Sequence, residues 1–329
     1  MILLCSLLLV PSLAAPLATT PDFFSVKGDP PYNASTADMQ NSLVCPNGIP
    51  TANENPVLLV HGTGSTGDES WGLGYVPALL KAGYKACYLN LPNRSMNDAQ
   101  ISSAYVAYNL HHLSSLAGAP VAAIGHSQGS PNIQWALRFF PSTRDPAVTR
   151  SFVALSPDFS GVGFDGLTEL CDIVSGVPIC APSLWQQAKG SNYMAALSGG
   201  THGIDQAYVP TTVVWSVTDE VVVPSFENSR LSGASIISAQ DLCPARIVGH
   251  LLMTHDAAGF AIALDALEHG GQADVARIDR AKVCLELLAP GMDPTLASLT
   301  EAGLNDIIKG ILLGGNKSTQ EPALMQYAV

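Results

Sequence analysis

The chain has 329 residues, 47% hydrophobic and 13% charged, which is enough apolar material for one large α/β domain or two small ones. Its formal net charge of −12 and pI near 4.9 argue against a nucleic-acid partner, which would select the opposite sign. The 29 glycines and 23 prolines point to many turns rather than long helical bundles.

Met1 to Ala15 reads as a signal peptide. Ile2 to Val10 is almost continuously apolar, and Leu13-Ala14-Ala15 offers small residues for cleavage after Ala14. The leader lacks the usual Lys or Arg at its start, and it is too short to span a bilayer. No other stretch reaches transmembrane length. The expected organisation is a signal peptide over 1–14 and a single, secreted, monomeric domain over 15–329. Cys5 leaves with the leader. Cys45, Cys87, Cys171, Cys180, Cys243 and Cys284 remain, an even number that suits disulfides in an exported chain but leaves their connectivity open. No C-x-x-C pair supports a zinc site. Glycosylation sequons begin at Asn33, Asn93 and Asn316.

Thr19 to Pro56, rich in Pro, Asn, Ser and Thr, reads as an extended wrapping segment. Val57 to His61 is a continuous apolar run, the pattern of a central parallel strand. The flexible loop Gly62 to Gly67 follows. A helix is predicted from Tyr75 to Ala82, capped by Gly83, then a strand from Tyr84 to Leu89. Asp98 to Ala117 is helical, with Ile101, Tyr105, Tyr108 and Leu113 at helical spacing. Phe152 to Leu155 and Thr211 to Val217 are further strands, and Ala257 to Leu267 is a further helix. Alternating strands and helices make a mostly parallel sheet with helices on both faces. Between Pro157 and about Gly203 glycines and prolines break the pattern into short pieces, the expected place for a lid or cap. Near the C-terminus Leu299, Leu304, Ile307, Ile308, Ile311 and Leu312 share one helical face, which packs on the core or lines a substrate.

The most informative stretch is Pro120 to Gly129. An apolar run ends in Gly125-His126-Ser127-Gln128-Gly129, and a helical pattern from Asn132 to Phe140 follows, stopped by Pro141. Strand, sharp turn and helix form a nucleophile elbow, in which a strained turn lifts the serine oxygen above the sheet. The two glycines of the pattern avoid collisions with the neighbouring strand and helix. A serine hydroxyl needs an imidazole to take its proton and a carboxylate to orient that imidazole. On such a sheet these follow in the order serine, acid, histidine. Asp219, behind the strand from Thr211, is the expected acid, with Asp158 and Glu220 as competitors. His255 is the expected base, with His250 and His269 as competitors. The oxyanion donors are expected from Gln128, after the nucleophile, and from Thr63 in the glycine-rich loop. That loop lacks the G-x-x-x-x-G-K-[ST] pattern of a phosphate cradle.

Several longer segments resemble the fungal lipase B family. These are Leu58 to Gly67, Ser127-Gln128-Gly129, Ser156-Pro157-Asp158, Ala181 to Gln187, Val209 to Glu220 and Glu321 to Ala328. The resemblance covers about residues 40 to 327. It implies an α/β-hydrolase fold and a triacylglycerol lipase that needs no metal or organic cofactor and acts on lipid esters at an oil–water interface. It also implies Ser127, Asp219 and His255 as the catalytic residues, Thr63 and Gln128 as the oxyanion hole, and Asp158 as a buried acid beside the site. Disulfides Cys45–Cys87 and Cys243–Cys284 are implied as well, leaving Cys171 with Cys180. The chain departs from the family in lacking its C-terminal disulfide and in a longer segment at 161–180. A short-chain carboxylesterase and a non-catalytic binding protein are the competing readings.

Overall fold

The computed structural model describes residues 24–163, 172–174, 177–199, 205–300, 304 and 316–329. The leader with Cys5, Cys171, and the C-terminal positions Ile307, Ile308, Ile311 and Leu312 lie outside the described residues.

The apolar runs of the sequence become a seven-stranded sheet. Its strands are β1 (Leu43–Val44), β2 (Pro56–Val60), β3 (Lys85–Leu89), β4 (Val121–His126), β5 (Thr149–Leu155), β8 (Thr211–Trp215) and β9 (Ser235–Ser238), in the spatial order β1-β3-β2-β4-β5-β8-β9. All pairs are parallel except β1 with β3. Because side chains alternate across a strand, both faces of these runs are buried. Leu58, Val60, Ala123, Phe152 and Val213 belong to one core cluster, while Val57, Leu59, Ala122, Val153 and Val214 belong to another. Burying each of the Leu, Val and Phe side chains among them stabilises the fold by about 1.5–3 kcal/mol.

Helices α2 (Tyr75–Lys81), α3 (Ala99–Ala117) and α4 (Gly129–Phe139) are the crossovers between β2, β3, β4 and β5, and the short α1 (Thr36–Asn41) lies in the wrapping segment. Tyr75 and Leu79 of α2 share a core cluster with Ala258 and Ile262 of the helix Ala257–Glu268. Leu110 and Leu113 of α3 and Trp135 of α4 enter the opposite cluster. Asp98 caps α3, accepting from the Gln100 N–H at 2.9 Å, and Gly118 ends it with φ of 66°.

Several boundaries differ from the sequence reading: β5 starts earlier, at Thr149, and α4 starts at Gly129. β8 stops at Trp215 because the Ser216 hydroxyl accepts from the Thr218 N–H at 3.1 Å, forming a side-chain turn before Asp219. The segment expected to hold only short helical pieces also contains a hairpin, β6 (Asp172–Val174) with β7 (Val177–Ile179). Its helices Pro182–Gln187 and Asn192–Leu197 are tied to the body by a few side chains. Gln186 accepts the Ala99 N–H at 2.7 Å and donates to Asp98 at 2.6 Å. Glu321, near the C-terminus, accepts the N–H groups of Asn192 and Tyr193. Disulfides join Cys45 to Cys87 and Cys243 to Cys284, and Cys180 is also disulfide-bonded.

Candidate active site

Ser127 follows β4 with φ of 52°, a left-handed conformation strained for a residue with a side chain. Its N–H donates to the Leu155 carbonyl at 3.0 Å, and its carbonyl accepts the Ser130 N–H at 2.9 Å. The turn is so tight that a Cβ on Gly125 would lie 2.7 Å from the Ser130 nitrogen. One on Gly129 would lie 2.2 Å from the Val60 carbonyl oxygen, so both positions demand glycine.

The loop after β2 passes directly over this serine. A Cβ on Gly62 would come within 2.8 Å of the Ser127 Cβ. His61 anchors the loop from below, its Nε2 accepting the Leu91 N–H at 3.0 Å and its Nδ1 donating to the Gly62 carbonyl at 2.8 Å. Burial pushes the His61 ring down to about 4, so it acts as a neutral spacer. Arg94 pins the other side, donating from Nε to the Gly64 carbonyl while its own carbonyl accepts the Gly64 N–H, both at 2.8 Å. The Thr63 hydroxyl then reaches Gln128 Oε1 at 2.5 Å and Gln187 Oε1 at 3.1 Å. Thr63 and Gln128 are thus brought together. Among the described residues, neither the Thr63 nor the Gln128 peptide N–H donates to a protein acceptor. Gln187 was visible in the sequence only as part of a longer motif, because a contact between positions 63 and 187 leaves no local signal.

Asp219 sits at the turn beyond β8. Its Oδ1 accepts the N–H groups of Val221 and Val222 at 3.1 and 2.9 Å. Its Oδ2 faces Nδ1 of His250 at 2.8 Å. Burial pulls this carboxyl upward, but the neighbouring His250 and the backbone donors outweigh it and hold Asp219 below the usual carboxylate range. An ionised Asp219 can only accept, so His250 donates from Nδ1 and keeps its basic nitrogen at Nε2.

His255, the expected base, is not the histidine found on Asp219: His250, one of its competitors, holds that place. The physical reason lies in how the histidine segment is tied. The Thr218 hydroxyl donates to the Val248 carbonyl at 2.8 Å and accepts the Val248 N–H at 3.0 Å, and Glu220 accepts the His250 N–H at 3.2 Å. These bonds clamp residues 248–250 to the Asp219 turn. A single helical turn, Leu251–Thr254, then carries the chain away. His255 pairs instead with the Thr254 hydroxyl at 3.1 Å and packs against Gly74. It lines a cavity of about 640 Å³ with Arg246, Ile247 and Leu252, which none of Ser127, Thr63 or Asp219 lines. Burial alone pushes its ring down to about 4. Of the other competitors, Glu220 holds the His250 backbone, and His269 lies at the C-terminal end of the helix Ala257–Glu268 against Asp265.

Asp158 follows Ser156, which has a φ of 43° at the end of β5. It is fully buried, and neither carboxyl oxygen has a hydrogen-bond partner among the described residues. Burial pushes it up to about 7, with a further push from Asp219 and an opposing pull from His250. Among the described residues no group of three or more His, Cys, Asp or Glu side chains could hold a metal ion.

No family model matches the chain. Lipase B of Pseudozyma antarctica is 31% identical over 308 residues, spanning 91% of this chain and 86% of that protein. The crystal structure of Aspergillus fumigatus lipase B superposes with a TM-score of 0.82 at 32% identity, over 94% of this chain and 77% of that one. A Bacillus licheniformis lipase in its propeptide form shares the fold alone, with a TM-score of 0.52 at 15% identity over 70% of this chain and 54% of that one. Near-complete coverage at this identity, on an α/β-hydrolase sheet, shows that the chain belongs to the lipase B family of carboxylic ester hydrolases.

Proposed function

We propose that this hydrolase is a secreted triacylglycerol lipase that works through an acyl-enzyme on Ser127. His250 is the base, Asp219 orients it, and the peptide N–H groups of Thr63 and Gln128 receive the oxyanion. The observation that carries this reading is the 2.8 Å bond between His250 Nδ1 and Asp219 Oδ2 beside the strained Ser127 turn. In the first half-reaction the Ser127 oxygen attacks the ester carbonyl while His250 Nε2 takes its proton. The carbonyl oxygen, now negative, is stabilised by the two N–H groups. His250 returns the proton to the departing alcohol, and water repeats the sequence on the acyl-enzyme.

A lipid substrate is supported by the apolar side chains that flank the acid and the base in the chain. Val217 and Val223 are 58% and 53% exposed on either side of Asp219, and Ile247 is 84% exposed just before His250. Exposed apolar side chains of this kind suit contact with an acyl chain or a lipid surface. Secretion is supported by the leader-like start of the sequence and by the disulfides. Among the described residues no helix is long and apolar enough to cross a membrane. The same reading takes residues 15–329 as one monomeric domain after a leader over 1–14, with a Cys171–Cys180 disulfide. Asn33, Asn93 and Asn316 are exposed, as glycosylation there requires.

Reaction with an organophosphonate, followed by peptide mass analysis, tests the mechanism. The adduct is expected on Ser127 and absent in Ser127→Ala; an unlabelled wild-type protein would reject an acyl-enzyme. Hydrolysis rates over acyl lengths, with and without an emulsion, test the substrate. A preference for soluble acetate or butyrate esters, with no gain from the emulsion, would make the protein a short-chain esterase instead.

A further inference from the structure

His126 stands immediately before Ser127 at the end of β4, and its ring is almost wholly buried. Its Nε2 lies 2.9 Å from the main-chain carbonyl of His250, and the two imidazole rings are 4.9 Å apart between centroids. A carbonyl only accepts, so Nε2 of His126 carries the proton and donates. The bond spans 124 residues of sequence, yet it joins the residue next to the nucleophile to the residue that meets Asp219. Trp71 meets His126 edge-on, with centroids 6.5 Å apart and planes at 90°. Buried packing of this kind gives the imidazole little room to turn.

We infer that His126 is a positioning residue, whose N–H holds the His250 backbone so that the His250 ring stands between Asp219 and the Ser127 oxygen. This inference rests on the serine mechanism proposed above. Asp219 fixes the His250 ring at one nitrogen, which still allows it to swing about that bond. Glu220 holds the His250 N–H, and His126 holds its carbonyl, so both main-chain polar groups of His250 are tied. The His126 tether comes from the strand that carries the nucleophile. It therefore links the position of the base directly to the position of the group it serves.

The charges around this contact agree with a fixed donor rather than a proton carrier. Burial first, and then the neighbouring His250, push His126 down to about 3, with His255 adding to that and Asp219 opposing it. His126 thus stays neutral beside the His250 ring. The groups facing His250 are Asp219, the buried Asp158, Glu220 at its backbone, and His126.

Three variants of the full chain test this. His126→Gln places an amide N–H close to where Nε2 stands. His126→Met matches its length without a donor, and His126→Phe keeps a ring without a donor. One neutral hydrogen bond to the base predicts kcat for the Met and Phe variants ~5- to 10-fold below wild type, with KM changed less than ~2-fold and the Gln variant within ~2-fold in both. The acidic limb of kcat/KM should move down by about half a pH unit in Met and Phe only, because a loosened His250 gains less from Asp219. Equal kcat in the Gln and Met variants, whether both high or both low, would overturn the inference. If the Phe variant fails to fold, the Gln–Met pair decides alone. Ser127→Ala and His250→Ala are measured alongside. Their retaining full activity would mean that the serine mechanism has failed, whereas their loss together with unchanged His126→Met kinetics would mean that only the positioning role has failed.

Discussion

His250 Nδ1 meets Asp219 Oδ2 at 2.8 Å across a sequence separation of 31, with both side chains almost entirely out of solvent. A buried pair of this kind persists only when its remaining polar groups are satisfied, and here two peptide N–H groups complete the carboxylate. It stands beside the Ser127 turn because His126, the neighbour of that serine, bonds the His250 backbone.

The assignment of the base is open to direct test. His250→Ala should lower kcat/KM by ~10³-fold or more, as removal of a triad histidine does. His255→Asn, on the far side of the helical turn, should stay within ~10-fold of wild type. Ester hydrolysis by the two purified variants, with circular dichroism to verify folding, measures this. The reverse ranking would restore His255 as the base.

The glycine over the nucleophile gives a second prediction. An alanine at Gly62 would put its Cβ 2.8 Å from the Ser127 Cβ and 3.2 Å from the His126 carbonyl oxygen. Either the loop carrying Thr63 or the serine must shift, which misplaces the oxyanion donors. Gly62→Ala should lose ~10²-fold or more in kcat, the scale of losing one such donor. Thermal melting should change far less than activity; an unchanged kcat would show that the loop tolerates the methyl group.

Asp158 predicts a pH-dependent stability. Its folded value, about 7, lies above the ordinary 3.8, so the fold favours the protonated form. That contribution is complete below about pH 4 and is lost as pH rises towards 7, because the unfolded chain releases this proton first. Asp158→Asn removes the ionisable group. It should melt close to wild type near pH 4 and increasingly above it up to pH 7, the gap reaching at most about 4 kcal/mol. Melting curves across this range decide it, and a constant gap would mean that Asp158 does not titrate in this window.

Asp256 predicts a loss of stability at the other end of the histidine segment. Its Oδ1 caps the helix Ala257–Glu268, accepting the Ala258 and Gly259 N–H groups at 2.8 and 2.9 Å. Its Oδ2 accepts from Arg246 Nε at 2.6 Å, in a pair whose side chains are 9% and 6% exposed. Asp256→Ala removes the cap and leaves the Arg246 charge without its carboxylate, which should destabilise by about 3 kcal/mol or more. Asp256→Asn keeps the cap and should lose less. Urea midpoints for the two variants check the order.

The sequence by itself determined the elbow and the sheet. The glycines around Ser127 are required by collisions within a few residues and with the adjoining strand, and the continuous apolar runs of β2, β4 and β5 are what strands buried on both faces must be. The place of Asp219 behind a strand was legible because it stands just beyond such a run. The choice between His250 and His255 belonged to the tertiary structure. Both lie in one irregular segment with no periodicity to separate them, and the decision came from the Thr218 clamp on Val248, the Glu220 contact and the His126 donor. The pairing of Thr63 with Gln187 was hidden in the same way. Local pattern reports what a residue's near neighbours require. Which distant side chains meet depends on where loops are tied across the fold, and those ties are single hydrogen bonds with no sequence period.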